Sequence, residues 1–195
     1  MSYPDTLTPD FSNRDMLPGT HKLISHRWSP RAFVKTEISD ADVAVLFDAA
    51  RWAPSCFNEQ PWRFHVSRDE TFDDYLALLN ESNQQWAKNA SLLGFIVAQK
   101  NFSHDDTPNA FAQFDSGAAW YAMTLQARAM GLYTHGMGGI DRAGIARYLQ
   151  LDETRYEVVC GFAIGVATGP ETLPENFAAR ETPSPRKPLS EILFR

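Results

Sequence analysis

Two arginines flank a serine in Arg27-Trp28-Ser29-Pro30-Arg31, each two residues away from it. Forked guanidinium donors and a hydroxyl at that spacing can converge on one anion. A solvated basic turn has the same composition, so the motif needs company. Arg186 and Lys187, near the other end of the chain, add positive charge.

The second chemically dense stretch is Arg51-Trp52-Ala53-Pro54-Ser55-Cys56-Phe57-Asn58-Glu59-Gln60-Pro61-Trp62. Between its prolines, Ser55, Asn58 and Gln60 are short polar side chains that bond a ligand or their own backbone. Trp52, Phe57 and Trp62 crowd the same loop with aromatic area. Either a flat, largely apolar ligand docks there or the tryptophans pin a rigid loop to the core. A third stretch, His135-Gly136-Met137-Gly138-Gly139, reads as a glycine turn whose amides can approach a ring edge, or as a simple tight turn.

Other chemistries lack their residues. The histidines at 21, 26, 65, 104 and 135 form no i, i+4 pair, and Cys56 and Cys160 stand far apart, so no metal site is expected. Neither a Gly-x-Gly-x-x-Gly after a strand nor a Walker loop is present. One ligand would use all three stretches: a phosphate at one end and a broad planar ring at the other. Flavin mononucleotide (FMN) is such a ligand.

The elements that must position these groups follow from periodicity. Ser39 predicts a helix N-cap, with Val43, Leu46, Phe47 and Ala50 on one face and a stop before Pro54. Trp62, Phe64 and Val66 alternate as a strand. Phe72, Tyr75, Leu76 and Leu79 predict a second helix. The amide-rich segment 80–89 predicts a short helix that contributes little to the core, although it contains Trp86. Residues 92–98 are apolar throughout, as in a central strand covered on both faces. A polar, mobile loop is expected over 100–108. A long helix is expected from Phe111 to Leu132, with Gly117, Ala118, Ala119 and Ala122 suiting either an interior helix or a dimer interface. A short helix over 141–149 and a strand over 156–168 follow, then a Pro-rich tail ending in the apolar 189–194.

Bulk properties narrow the class. The 195 residues carry a net charge of −6, with 44% hydrophobic and 22% charged residues, which disfavours non-specific nucleic-acid binding. Two distant cysteines, a polar N-terminus without a leader's apolar core and the lack of any apolar run of about 20 residues point to the cytoplasm. Residues 1–20 read as an arm and 21–195 as one domain.

At this point the chain resembles the nitroreductase family of FMN-dependent flavoproteins, on Arg27-x-Ser29-x-Arg31-x-Phe33, Ala53-Pro54-Ser55-x-x-Asn58-x-Gln60-Pro61-Trp62, Gly138-Gly139 and Arg186-x-Pro188-Leu189. The resemblance implies an α+β fold, a mainly antiparallel sheet flanked by helices, in a homodimer that exchanges its C-terminal tail. It implies FMN as cofactor and NAD(P)H as co-substrate, with hydride passing through the flavin to a nitroaromatic, quinone or enal acceptor. Arg27, Trp28, Ser29, Arg31 and Arg186 would hold phosphate and ribityl. Asn83, Met137, Gly138 and Gly139 would meet the ring. Pro54, Ser55, Cys56 and Asn58 would come from the other subunit. Phe57, Phe111, Phe114 and His135 are candidates for the acceptor pocket, with 100–114 as a lid. No residue need act as acid or base, because the chemistry lies on the flavin. Flavin storage without turnover, or an interaction module with solvated arginines, would use the same residues.

Overall fold

The computed structural model describes residues 2–194. Five strands form one antiparallel sheet around β5 (Tyr156–Ala167). One edge of β5 pairs with β3 (Leu92–Gln99), which in turn pairs with β2 (Trp62–Val66). Strand β5 also pairs with β4 (Tyr133–Met137), opposite Gly161–Gly165, and with the short β1 (Phe33–Val34), opposite Val166–Ala167. Strand β3 is buried along its whole length, as its unbroken apolar run requires.

The two faces of β3 and β5 feed two cores. Leu92, Ile96, Phe162 and Ile164 face α2 (Asp40–Arg51) and α5 (Ala112–Ala129). Leu93, Phe95 and Ala163 face the opposite core, with Phe72, Tyr75, Trp86 and Ile145. Those come from α3 (Phe72–Ala77), α4 (Glu81–Ala87) and α6 (Arg142–Tyr148). Helix α2 begins as expected, the Ser39 hydroxyl accepting from the Asp42 amide. A one-turn helix, α1 (Lys22–Ser25), leads into the arginine stretch. Another, α7 (Glu175–Ala178), buries Phe177.

Two expectations are corrected. Trp86 is 0% exposed and the largest fully buried side chain, so the amide-rich segment does anchor the core. Its other residues are polar because only one face of a short helix turns inward. The stretch at His135 is also not a turn from its start. Residues 133–137 form β4, hidden from periodicity by Thr134, His135 and Gly136, and the turn begins at Gly138.

The N-terminal arm packs onto the body. Tyr3 donates from its amide to the Met130 carbonyl and from its hydroxyl to Asp42, and Asp5 meets Arg128 and Tyr133. Gly131, with φ +87°, ends α5 where any Cβ would strike the Tyr3 carbonyl.

Candidate functional site

The first half of the site is a cavity of about 480 Å³ lined by Ile24, Arg27, Ser29, Trp120, Tyr121, Thr124, Gly136 and Arg186. Residues more than 150 positions apart thus meet as the motif reading requires. The Arg27 guanidinium donates to the Ser29 hydroxyl at 2.9 Å. Burial first, and then the facing Arg186, push the Arg27 pKa down. Neither arginine has an ion-pair partner among the described residues; Arg186 donates only to the Ser184 and Pro185 carbonyls. Two close guanidiniums in a cleft repel each other, and a polyanion would relieve that repulsion.

The loop bearing Arg27 and Ser29 is pinned from behind. The buried Glu181 carboxylate accepts from the amides of Arg31 and Ala32. His135 lies 2.9 Å from the Pro30 carbonyl through Nδ1 and packs on Trp86. Burial lowers its pKa to about 4, so the ring is neutral at pH 7 and Nδ1 must be the donor. His135 therefore supports the anion loop. Arg31 turns away from the cavity: its guanidinium sits 3.8 Å from Glu181 and over the Phe177 ring. The side chain of Trp28 packs in the core edge-on to Tyr133, leaving its backbone to the loop.

Strand β4 carries the site onward. Gly136 lines the cavity, and Gly138 follows two residues later, about 7 Å along at strand rise. A Cβ on Gly138 would meet nothing within 4 Å, so that side of it is open, while its carbonyl accepts from the Ile140 amide. At Gly139 a Cβ would lie 2.2 Å from the Asn80 side-chain amide, which would have to move aside. The Gly139 carbonyl accepts from the Asn80 amide and from the Asn83 side chain, each at 3.0 Å. Asn83 and the glycine pair are thus brought together, while Met137 sends its side chain into the core beneath them.

The second half lies elsewhere. Cys56 donates its amide to the buried Asp115 carboxylate at 3.0 Å, and Ser55 accepts from the Gln60 amide. Asp115 opens α5, whereas Thr124 of the cavity lies nine residues on, about 14 Å along the helix axis at 1.5 Å per residue. No residue of 54–60 lines the arginine cavity. The loop is strained: Phe57, Asn58 and Gln60 have φ of 52°, 57° and 52°. Phe57 is 81% exposed and meets only Phe102 and His104 edge-on. Phe111 and Phe114, at the start of α5, are also exposed. Glu59 ties in the 100–108 segment through Ser103 and Gln99, and Asn101 pairs with Pro108 across that segment.

Sequence reasoning missed Trp120, Tyr121 and Thr124, which looked like ordinary positions of a long helix, and Asn80. It also passed over Arg14, in the arm. Among the described residues, no group of three or more His, Cys, Asp or Glu is placed to hold a metal ion, and no helix is long and apolar enough to cross a membrane.

The antiparallel α+β sheet thus carries a basic cavity at one helix face, with the Gly138–Gly139 pair beside it. The nitroreductase family model matches residues 24–85 and 71–166, and the chain belongs to that family. A solved oxidoreductase containing FMN is 38% identical, superposes with a TM-score of 0.89, and is covered over 96% of its length by all of this chain. A structure from Desulfovibrio desulfuricans in complex with FMN is 26% identical with a TM-score of 0.72, over 92% of this chain and 98% of that one. The 4-nitrobenzoate reductase of Pseudomonas putida is 26% identical over 192 residues, covering 74% of this chain and 84% of that protein.

Proposed function

We propose that the protein is an FMN-dependent oxidoreductase that uses NAD(P)H to reduce small acceptors of the nitroaromatic, quinone or enal kind. The observation that carries this is the meeting of Arg27, Ser29 and Arg186 in one cavity, with no described carboxylate to neutralise the two guanidiniums. The residues present fit FMN. The arginines and the serine hydroxyl suit a terminal phosphate, and the open Gly138 edge beside Asn83 suits the polar rim of a ring. FMN, when bound, supplies the hydride chemistry, taking hydride from the nicotinamide and giving it to the acceptor.

The chain's own tasks are binding, orientation and exclusion of water. Arg27, Ser29 and Arg186 hold the anionic end, and Glu181 and His135 keep their loop in place. Asn83 fixes the Gly138–Gly139 backbone so that its polar groups meet the ring edge without reorganising. Arg31 acts through its backbone and its pairing with Glu181.

The loop 54–58 does not line its own chain's cavity, which supports the reading that each site is completed by a second copy. Pro54, Ser55, Cys56 and Asn58 then come from the partner, with Phe57, Phe111 and Phe114 bordering the acceptor. The apolar groove of Leu23, Val45, Trp52, Ala122, Leu125 and Ala129, between α2 and α5, supports a homodimer through that face. Within one chain the tail stays at home as far as Arg186, held by the Asn13 side chain on the Pro183 carbonyl. The exposed 189–194 segment is then the part of the tail that we propose is exchanged.

The test is the purified protein itself. It should absorb near ~450 nm, release FMN rather than FAD on denaturation, since the cavity suits a terminal phosphate, and oxidise NAD(P)H in steady state with a quinone or nitroaromatic acceptor. A colourless protein that takes up no added FMN overturns the assignment. Flavin binding without turnover leaves a flavin-storage protein instead.

A further inference from the structure

Arg14 belongs to the arm, upstream of residue 24, where the family match begins, and no motif singles it out. Its side chain nevertheless joins the two segments that form the anion cavity. Nη1 donates to the carbonyls of Ser25 at 2.6 Å and Arg27 at 3.1 Å, and Nε donates to the Ser184 carbonyl at 3.0 Å. One guanidinium thus grips the backbone of the arginine loop and the backbone of the tail two residues before Arg186. The grip is itself supported. Arg14 lies over the Phe11 ring at 4.9 Å, and Phe11 stacks on His26 at 4.7 Å with planes 10° apart. Next to it, Asn13 ties Pro183 at 2.7 Å.

We propose that Arg14 is a positioning residue of the anion site: it locks the Arg27 loop and the Arg186 tail into one unit, so that two mutually repelling guanidiniums are held ready for a phosphate. Without it the tail beyond Pro183, where Asn13 still holds, loses its tie to the arginine loop, because Arg186 otherwise bonds only to the carbonyls of its own neighbours Ser184 and Pro185. Repulsion from Arg27 favours that separation. Burial, then Arg186, then Arg27 lower the Arg14 pKa, so all three guanidiniums share one field. Lysine cannot replace the grip, since a point charge lacks the fork that reaches carbonyls on two segments.

The proposal rests on the FMN reading, but one of its tests does not. Arg14→Ala and Arg14→Lys would be compared with the parent for FMN and riboflavin affinity of the flavin-stripped protein. The same variants would be compared for the rate of tryptic cleavage after Arg186 without flavin. Expected is about a tenfold loss of FMN affinity in both variants, the scale of one charge-assisted bond, with riboflavin affinity within about twofold of the parent. Cleavage after Arg186 should quicken severalfold in both. Equal losses for FMN and riboflavin, unchanged cleavage, or full rescue by lysine would overturn it. If the parent binds no FMN, the functional reading fails, and the cleavage rates still decide whether Arg14 holds the tail.

Discussion

The two halves of the site differ in how they are built. The arginine cavity is lined by residues of one chain: Glu181, His135 and Arg14 each hold a part of it, and its Arg27 and Ser29 are half-buried. The 54–60 loop is held by the Cys56 amide on Asp115 and by Glu59 on Ser103 and Gln99, and it projects the exposed Phe57 ring from a backbone with three positive-φ residues. Each such residue costs about 1–3 kcal/mol, which folding alone has no reason to spend. On the proposed reading, the first half binds the anion and the second is completed by a second copy of the chain.

That contrast is broken most severely at the arginines. Arg27→Ala and Arg186→Ala should each weaken FMN binding about tenfold to a hundredfold, as expected for a charge-assisted bond of about 1.5–3 kcal/mol. The double variant should lose less than the product of the two. Removing either arginine also removes the repulsion between them, and neighbours that share a cavity do not add. Melting temperature should hold, because neither side chain belongs to an apolar face. Calorimetric titration of the three variants decides the matter. Strict additivity would mean that the two guanidiniums do not share one anion.

The second break asks whether the halves of a working site come from different chains. Arg27→Ala damages one half and Asn58→Trp the other, so each homodimer is defective at both sites. In a mixed dimer one site collects both lesions and the other neither. With random mixing, about half the dimers are mixed and about a quarter of all sites are intact, by two-fold symmetry. Co-refolding the two inactive proteins should restore about that fraction of NAD(P)H oxidation. Mixed dimers, confirmed by differential tags, that stay inactive would place both halves within one chain.

How much of this was legible in the sequence divides along the same line. Local signals carried the elements: the Ser39 cap, the apolar run of β3 and the alternation in β2 all stand where periodicity put them. Strand β4 was lost because Thr134, His135 and Gly136 break the apolar pattern, and its pairing with β5 is a non-local fact. Trp86 was undervalued because amides surround it. At the site, the motif reading brought together Arg27, Ser29 and Arg186, and Asn83 with Gly139. It had no means of seeing that Arg31 would turn to Glu181, 150 residues away, or that Arg14 would reach Ser184. Pairings of that range leave no spacing to read.

The smallest effect, and the finest test of the contrast, is Phe57→Gly. At φ 52° an L-residue is strained by about 1–2 kcal/mol, which glycine relieves. Glycine in turn costs about 0.5–1 kcal/mol in chain entropy. The ring is 81% exposed and touches Phe102 and His104 only edge-on, at 5.7 and 5.8 Å, so little buried area is lost. These terms nearly cancel, and chemical denaturation should show stability within about 1 kcal/mol of the parent. FMN affinity should also hold, since the phosphate end lies in the other half. The acceptor KM, in contrast, should rise severalfold with NAD(P)H kinetics little changed, if the exposed ring borders the acceptor in the partner's site as proposed. A clear loss of stability would make Phe57 a packing residue, and the strain in its loop would then serve the fold of its own chain.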